Sequence, residues 1–173
     1  MAKAYVKALQ KKLSIDNVNA VPVIDAVIVS MGIGSLVTRK GQKDFEELES
    51  NMRKITGQKP RVVKAKKSVS NFKLREGMPV MLQCTLRRDK AEDFLDRFTK
   101  LVLPRIRDFE GVNPRSFDKN ANITLGVKNY ALFPELGLDD VTVPMGIGIT
   151  IVTTADTKEG SQALLEEMGY VFK

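Results

Sequence analysis

The sequence predicts an α+β fold: a mainly antiparallel sheet of about five strands, with helices packed on one face. Two observations carry that reading. Five short runs rich in β-branched and apolar residues are interspersed with about four stretches whose apolar residues recur every three to four positions. Their order lacks the regular strand–helix–strand alternation from which parallel sheets are built. A third observation sets the organisation: no repeat, low-complexity tract or linker interrupts the 173 residues, so one domain over 1–173 is expected. A domain near this size buries roughly 70% of its unfolded surface and needs no disulfide or metal staple.

The elements follow in order. Tyr5, Val6, Leu9 and Leu13 lie at helical spacing within residues 3–13, and Asn17 to Pro22 breaks that pattern. Val23 to Val29 is a β-rich run that ends at Met31-Gly32-Ile33-Gly34. From Lys43 to Ile55, the spacing of Phe45, Leu48, Met52 and Ile55 predicts a helix, with Gly57 as its stop. Pro60 to Ala65 is a short strand; Lys66 to Gly77, polar and without period, is a long loop; Pro79 to Leu86 is a strand. Asp89 can cap a helix that runs through Phe94, Leu95 and Phe98 to Val102 and stops at Pro104. Residues 105–121 read as irregular, Ile123 to Val127 as a strand, and Tyr130 to Val143 as loop with isolated packing residues. Ile147 to Thr154 is the strongest strand. A last helix spans Asp156 to Met168, with Thr157 a cap and Gly169 a stop.

Composition narrows the function. The net charge is +7, which favours a phosphate-bearing partner, nucleic acid or an anionic membrane surface. Cys84 is the single cysteine, so no intramolecular disulfide can form and a reducing compartment is favoured. The N-terminus has no apolar run of signal-peptide length, and no segment approaches the roughly 18 apolar residues of a membrane span. A cytoplasmic protein is expected. There is no His, which removes the commonest general base and the commonest neutral metal ligand. No cofactor and no metal are expected.

The charge is unevenly placed. Between Glu49 and Glu76 no acidic residue occurs, while Arg53, Lys54, Lys59, Arg61, Lys64, Lys66, Lys67, Lys73 and Arg75 all fall there. From Ala131 onward the balance reverses to −5. A solvated face without function usually mixes signs, because unrelieved like charge repels itself. Lys and Arg on phosphates release counterions and give salt-dependent affinity. Ser68, Ser70 and Asn71 are small donors suited to phosphate and ribose, and Phe72 either stacks on a base or anchors the loop in the core. A long basic loop suits RNA, whose irregular shapes are read by insertion and stacking. The segment lacks the amphipathic helical pattern of a membrane-surface binder, so no membrane partner is expected.

Other motifs carry less. Met31-Gly32-Ile33-Gly34 after a strand invites a dinucleotide-binding reading, but Val37 stands where the third glycine is needed, and the next helix reads as delayed. The glycines then serve a close backbone approach, to another strand or to RNA. Met145-Gly146-Ile147-Gly148 is again only a G-x-G. Glu92, Asp93 and Asp96 lie between the apolar positions of a helix and should face solvent. Cys84, in a strand and with no His to activate it, reads as a small core residue.

A set of short segments then becomes recognisable: Ser30-Met31-Gly32-Ile33-Gly34, Ile55 to Pro60, Lys64 to Val69, Phe72 to Pro79, Thr85-Leu86-Arg87, Leu103 to Phe109, Ser116-Phe117-Asp118, Phe133-Pro134-Glu135 and Ile149 to Ala155. In this order, and over nearly the whole chain, they resemble the bacterial large-subunit ribosomal proteins of the L-five family, which bind 5S rRNA. The resemblance implies a protein of the cytoplasmic ribosome that attaches 5S rRNA to the large subunit, alongside large-subunit rRNA, in the central protuberance. It implies 5S rRNA contacts from Ser30, Met31, Gly32 and Gly34, and from Gln58, Lys59, Arg61 and Lys64. It implies that the loop bearing Lys66, Lys67, Ser68, Phe72, Lys73 and Arg75 reaches the peptidyl-site tRNA, and that another face meets small-subunit protein S-thirteen as an intersubunit bridge.

Several positions depart from the family pattern. Ser30 stands where Asn is usual, Ser70-Asn71 where a pair with Gly is usual, and Met81 to Cys84 where Gly-Cys-Lys-Val is usual. Lys119 to Asn122 replaces a Gly-Arg-Gly-Asn turn, and Gly148 replaces a common Asp. The sequence therefore reads as a structural, non-catalytic ribosomal protein. The alternative is a nucleotide- or RNA-processing enzyme that works without His, through a hidden set of Asp, Glu and Lys.

Overall fold

A computed structural model describes residues 4–40, 44–107, 109–137, 141 and 143–173. The expectations placed on Lys3, Lys43, Asp108, residues 138–140 and residue 142 lie outside the described residues. The architecture is α+β: one five-stranded antiparallel sheet and, among the described residues, five α-helices. The strands are β1 (Ile24–Gly32), β2 (Arg61–Lys64), β3 (Pro79–Arg87), β4 (Ile123–Val127) and β5 (Ile147–Thr153), in the sheet order β2-β3-β1-β5-β4. The helices are α1 (Ala4–Leu13), α2 (Gly34–Lys40), α3 (Glu46–Thr56), α4 (Asp89–Arg97) and α5 (Lys158–Glu167).

Burial along the strands follows the pleat. In β5, Ile147, Ile149, Ile151 and Thr153 are buried while the residues between them are half-exposed. In β3, Leu82, Cys84 and Leu86 are buried and alternate with half-exposed Met81, Gln83 and Thr85. A period of two is what one covered face and one open face produce. Cys84 is thus a core residue, as its strand position predicted.

The chain divides into two compact units. The first comprises Met1–Val27, Arg87–Leu125 and Thr150–Lys173. Here α1 packs on α5, Leu9 is buried, and Lys12 pairs with Glu166 at 2.6 Å on the surface. Phe94 and Phe98 stack at 6.2 Å between ring centroids, and Phe98 also meets Tyr170. Fully burying each such aromatic contributes roughly 1.5–3 kcal/mol. Thr157 caps α5 as expected, its Oγ1 accepting from the Gly160 N–H, and Gly169 turns away at φ 91°.

Three expectations for this unit need correction. Asp89 is not the cap of α4 but its first residue; Arg88, at φ 54°, holds the cap position without a side-chain hydrogen bond. A carboxylate in the first turn still favours the helix through its dipole. The winding also changes at Phe98 to a π-helical turn over Phe98–Val102, followed by a 3-10 turn at Leu103–Arg105. Asp93 and Asp96 face solvent as predicted, but Glu92 is half-buried.

The second unit comprises Ile28–Leu86 and Gly126–Ile149. Its core holds Ile33, Leu36, Leu48, Met52, Ile55, Tyr130 and Phe133. Helix α3 starts beside Asp44, whose carboxylate accepts from the Glu46 N–H. It stops at Gly57, which is left-handed at φ 67° and donates to the Arg53 carbonyl. Tyr130 opens a 3-10 turn capped by the Asn129 side chain, so the stretch read as plain loop carries one ordered turn.

Candidate nucleic-acid interface

All the residues singled out for RNA lie in the second unit. Ser30, Met31 and Gly32 form the end of β1, within the Met31-Gly32-Ile33-Gly34 turn where the sequence ends the strand. Ser30 is half-buried, and its hydroxyl donates to the Gly148 carbonyl at 3.2 Å. Met31 is fully buried, backbone included, so it shapes this surface from beneath and meets no ligand itself. The two glycines differ. A Cβ on Gly32 would meet nothing within 4 Å, so its backbone is open to a partner. A Cβ on Gly34 would lie 3.1 Å from Cγ1 of Val80, and the neighbouring Ile33 N–H donates to the Val80 carbonyl at 2.9 Å. Gly34 therefore serves the approach of another strand.

The helix after this turn is not delayed, contrary to expectation. Helix α2 opens at Gly34 itself, and its Leu36 is buried while Val37 is half-exposed. The timing of the helix thus says nothing against a dinucleotide fold. The missing third glycine still does, and an antiparallel sheet lacks the parallel unit such a site requires.

Gln58 is tied into the protein. Its side-chain amide donates to the Thr85 carbonyl at 3.4 Å, and its own carbonyl accepts from the Thr56 hydroxyl at 3.0 Å. Arg61 and Lys64 are exposed at the two ends of β2, an edge strand antiparallel to β3 with Arg61 opposite Gln83. Basic side chains on an edge also discourage pairing with another sheet, a role that needs no RNA. The electrostatics favour more than that. All nine basic residues between Glu49 and Glu76 are exposed. Among the described residues, Arg53, Lys59, Arg61, Lys64, Lys66, Lys67, Lys73 and Arg75 pair with no carboxylate. Eight uncompensated cations on one stretch of surface set up a positive field suited to phosphate.

The loop at 66–77 is better ordered than its sequence suggested. Ala65 and Met78 close its base, with the Ala65 N–H donating to the Met78 carbonyl at 2.8 Å. Farther out, Val69 and Leu74 form an antiparallel bridge around a 3-10 turn at Ser70–Phe72. Lys73 closes that turn at φ 52°, in the left-handed region a residue with a Cβ seldom adopts. Ser68 is partly spent within the loop, its Oγ accepting from the Glu76 N–H at 2.9 Å. Phe72 is 74% exposed, which removes the core-anchor alternative. Beside it lies a groove of about 710 Å³, lined by Gly34, Ser35, Thr38, Asn71, Phe72 and Lys73 among others. Ser35 and Thr38 were missed because that stretch was not read as helical. Their spacing of three, which places them on one helix face, was the available signal.

Comparison with known proteins identifies the family. Residues 17–75 match the family model described as ribosomal protein L5, and residues 79–172 match the model of the same ribosomal family's C-terminus. A large ribosomal subunit protein uL5 of Syntrophotalea carbinolica is 46% identical over 95% of this chain and 89% of its own length. The chain belongs to the ribosomal protein L5 family. The protein of the same description from Caldanaerobacter subterraneus subsp. tengcongensis is 42% identical, covering 98% of this chain and 94% of its own. That of Lactobacillus johnsonii is 44% identical, covering 95% and 91%. Membership makes the chain a ribosomal protein of the large subunit, and so of the bacterial cytoplasm, where the sequence placed it. Among the described residues, no helix is long and apolar enough to cross a membrane.

Proposed function

We propose that the chain is a structural, non-catalytic protein that binds 5S rRNA and helps attach it to large-subunit rRNA in the central protuberance. The observation that carries this is the set of eight exposed cations that pair with no carboxylate among the described residues, Arg53, Lys59, Arg61, Lys64, Lys66, Lys67, Lys73 and Arg75, in the same unit as the open Gly32 backbone. Gly32, with Lys59, Arg61 and Lys64, then meets 5S rRNA, while Ser30, Met31, Gly34 and Gln58 hold that surface in shape. The loop carrying Lys66, Lys67, Phe72, Lys73 and Arg75 contacts the peptidyl-site tRNA. A separate face meets small-subunit protein S-thirteen, and the chain works as one domain.

Binding of the purified protein to 5S rRNA, against an unrelated hairpin of equal length, tests the first claim. Selective binding with a steep salt dependence is expected; equal affinity for both would sink it. Replacing Lys66, Lys67, Lys73 and Arg75 together by Ala is expected to spare 5S rRNA binding and weaken tRNA binding. Loss of folding in that variant would show instead that the loop is a structural element.

A further inference from the structure

Phosphate attraction does not explain the groove beside the loop. Its volume falls in the roughly 300–1,000 Å³ range of sites for small organic groups. Its chemistry is mixed in a particular way. Phe72 offers an aromatic face to solvent at the tip of a turn. That turn is fixed by the Val69–Leu74 bridge and by left-handed Lys73, so the ring is held out by backbone geometry. Asn71, whose amide makes no hydrogen bond among the described residues, offers both donors and an acceptor. Across the groove, Thr38 donates its hydroxyl hydrogen to the Gly34 carbonyl at 2.9 Å, which leaves its oxygen to accept, and Ser35 is exposed. Lys73 supplies the cation.

An aromatic face, an uncommitted amide and a cation side by side match the parts of one nucleotide: base plane, base edge and phosphate. An apolar peptide would leave the amide and the ammonium unmatched. An acidic peptide would use the charge and leave the ring idle. Lys73 is the one charged residue among those lining the groove, and the chain from Ser50 to Arg75 that carries it holds nine basic residues and no acidic one, which favours a polyanion.

We propose that this groove takes one unpaired nucleotide of a tRNA, its base stacked on Phe72, its edge hydrogen-bonded by Asn71 and its phosphate on Lys73. The proposal rests on the reading of the loop as a tRNA contact and adds a base-binding subsite to it. Ser35 and Thr38 line the same groove and add hydroxyl groups to it.

The chain has no Trp, so Phe72→Trp creates a single indole in the full-length protein at the site in question. Its emission is read while tRNA or an unstructured oligouridylate is titrated, and the anisotropy of the labelled RNA is followed in parallel. The expected result is quenching that saturates together with the anisotropy, and that is lost with an abasic oligomer. Ser35→Tyr, which narrows the groove at an exposed position, is expected to abolish the quenching while anisotropy still reports binding. Phe72→Ala is expected to weaken oligouridylate binding roughly 5- to 150-fold, and Phe72→Tyr to restore it. Anisotropy without quenching would overturn the subsite and leave the tRNA contact standing. Quenching by oligouridylate with no tRNA binding would keep the nucleotide subsite and overturn the choice of tRNA. Equal quenching by abasic or duplex RNA would overturn stacking altogether.

Discussion

The proposed 5S rRNA surface makes a prediction that can be worked through in charges. Lys59, Arg61 and Lys64 are exposed and, among the described residues, pair with no carboxylate. Each therefore brings a whole positive charge to a phosphate. Replacing all three by Gln keeps much of each aliphatic stem and removes three charges. With roughly 0.7–0.9 counterions released per phosphate neutralised, the slope of log affinity against log salt should fall by roughly 2–2.7. Over a change from about 50 to 200 mM salt, the parent should then lose roughly 20- to 40-fold more affinity than the triple variant. The assay is anisotropy of labelled 5S rRNA at fixed magnesium, repeated at several salt concentrations. Lys7→Gln with Lys11→Gln, at exposed positions on α1, is the control and should leave the slope unchanged. A triple variant with the parent's slope would refute the reasoning, because those cations would then touch no phosphate. An equal drop in the control would show that only net charge matters.

Three further outcomes follow from single contacts. A Cβ on Gly148 would lie 3.0 Å from the Ser30 Oγ, so Gly148→Ala and Ser30→Ala should each cost about 1 kcal/mol, and the double variant less than their sum; a denaturant-unfolding cycle measures this. Thr157→Ala removes the Oγ1 that accepts from the Gly160 N–H and should cost about 1 kcal/mol in thermal unfolding, while Thr157→Ser should retain most of it. The Asp118 carboxylate is held below its usual range first by the Asn122 backbone N–H, then by the Asn122 side-chain amide, with a smaller contribution from the Asn120 N–H. A folded pKa below the unfolded one stabilises the native state above about pH 4, and that contribution is lost as pH falls through the depressed value. A chemical-shift titration should place the Asp118 midpoint below that of a model carboxylate, and Asp118→Asn should flatten the acid limb of stability.

What the sequence disclosed depended on how far apart the interacting groups lie along the chain. Strands β4 and β5, helix α5 and the Gly57 stop announce themselves through neighbours within one or two turns, and they stand where the pattern put them. Helix α2 did not, because its seven residues hold too few apolar positions to show a period, and its opening glycine reads as a breaker. The charge of the 50–75 window was legible because charge needs no partner to be counted. The shape of its loop was not, since the Val69–Leu74 bridge and the bond from the Glu76 N–H to Ser68 join residues of no common pattern. Phe72 was the sharpest ambiguity: an aromatic residue in a polar loop is anchor or contact, and only its exposure decides.

The departures from the family pattern also change meaning once they are placed. Ser30 and Gly148, 118 positions apart, read as two independent changes in the sequence and are one contact between adjacent strands β1 and β5. The short hydroxyl at 30 donates to the 148 carbonyl, and a side chain at 148 would crowd it. A change at either position therefore alters the fit of the other, and the two are best treated as one exchange. Ala121 is the opposite case. It is left-handed at φ 58°, where the family pattern places Gly, and is nearly fully buried. No second substitution is needed to explain how the turn holds. Asp118 accepts hydrogen bonds from Asn120 and Asn122, and the Ala121 carbonyl accepts from the Thr153 hydroxyl at 3.2 Å. At 30 and 148 the side chains are matched to each other, whereas at 121 the surrounding hydrogen bonds hold a strained residue in place.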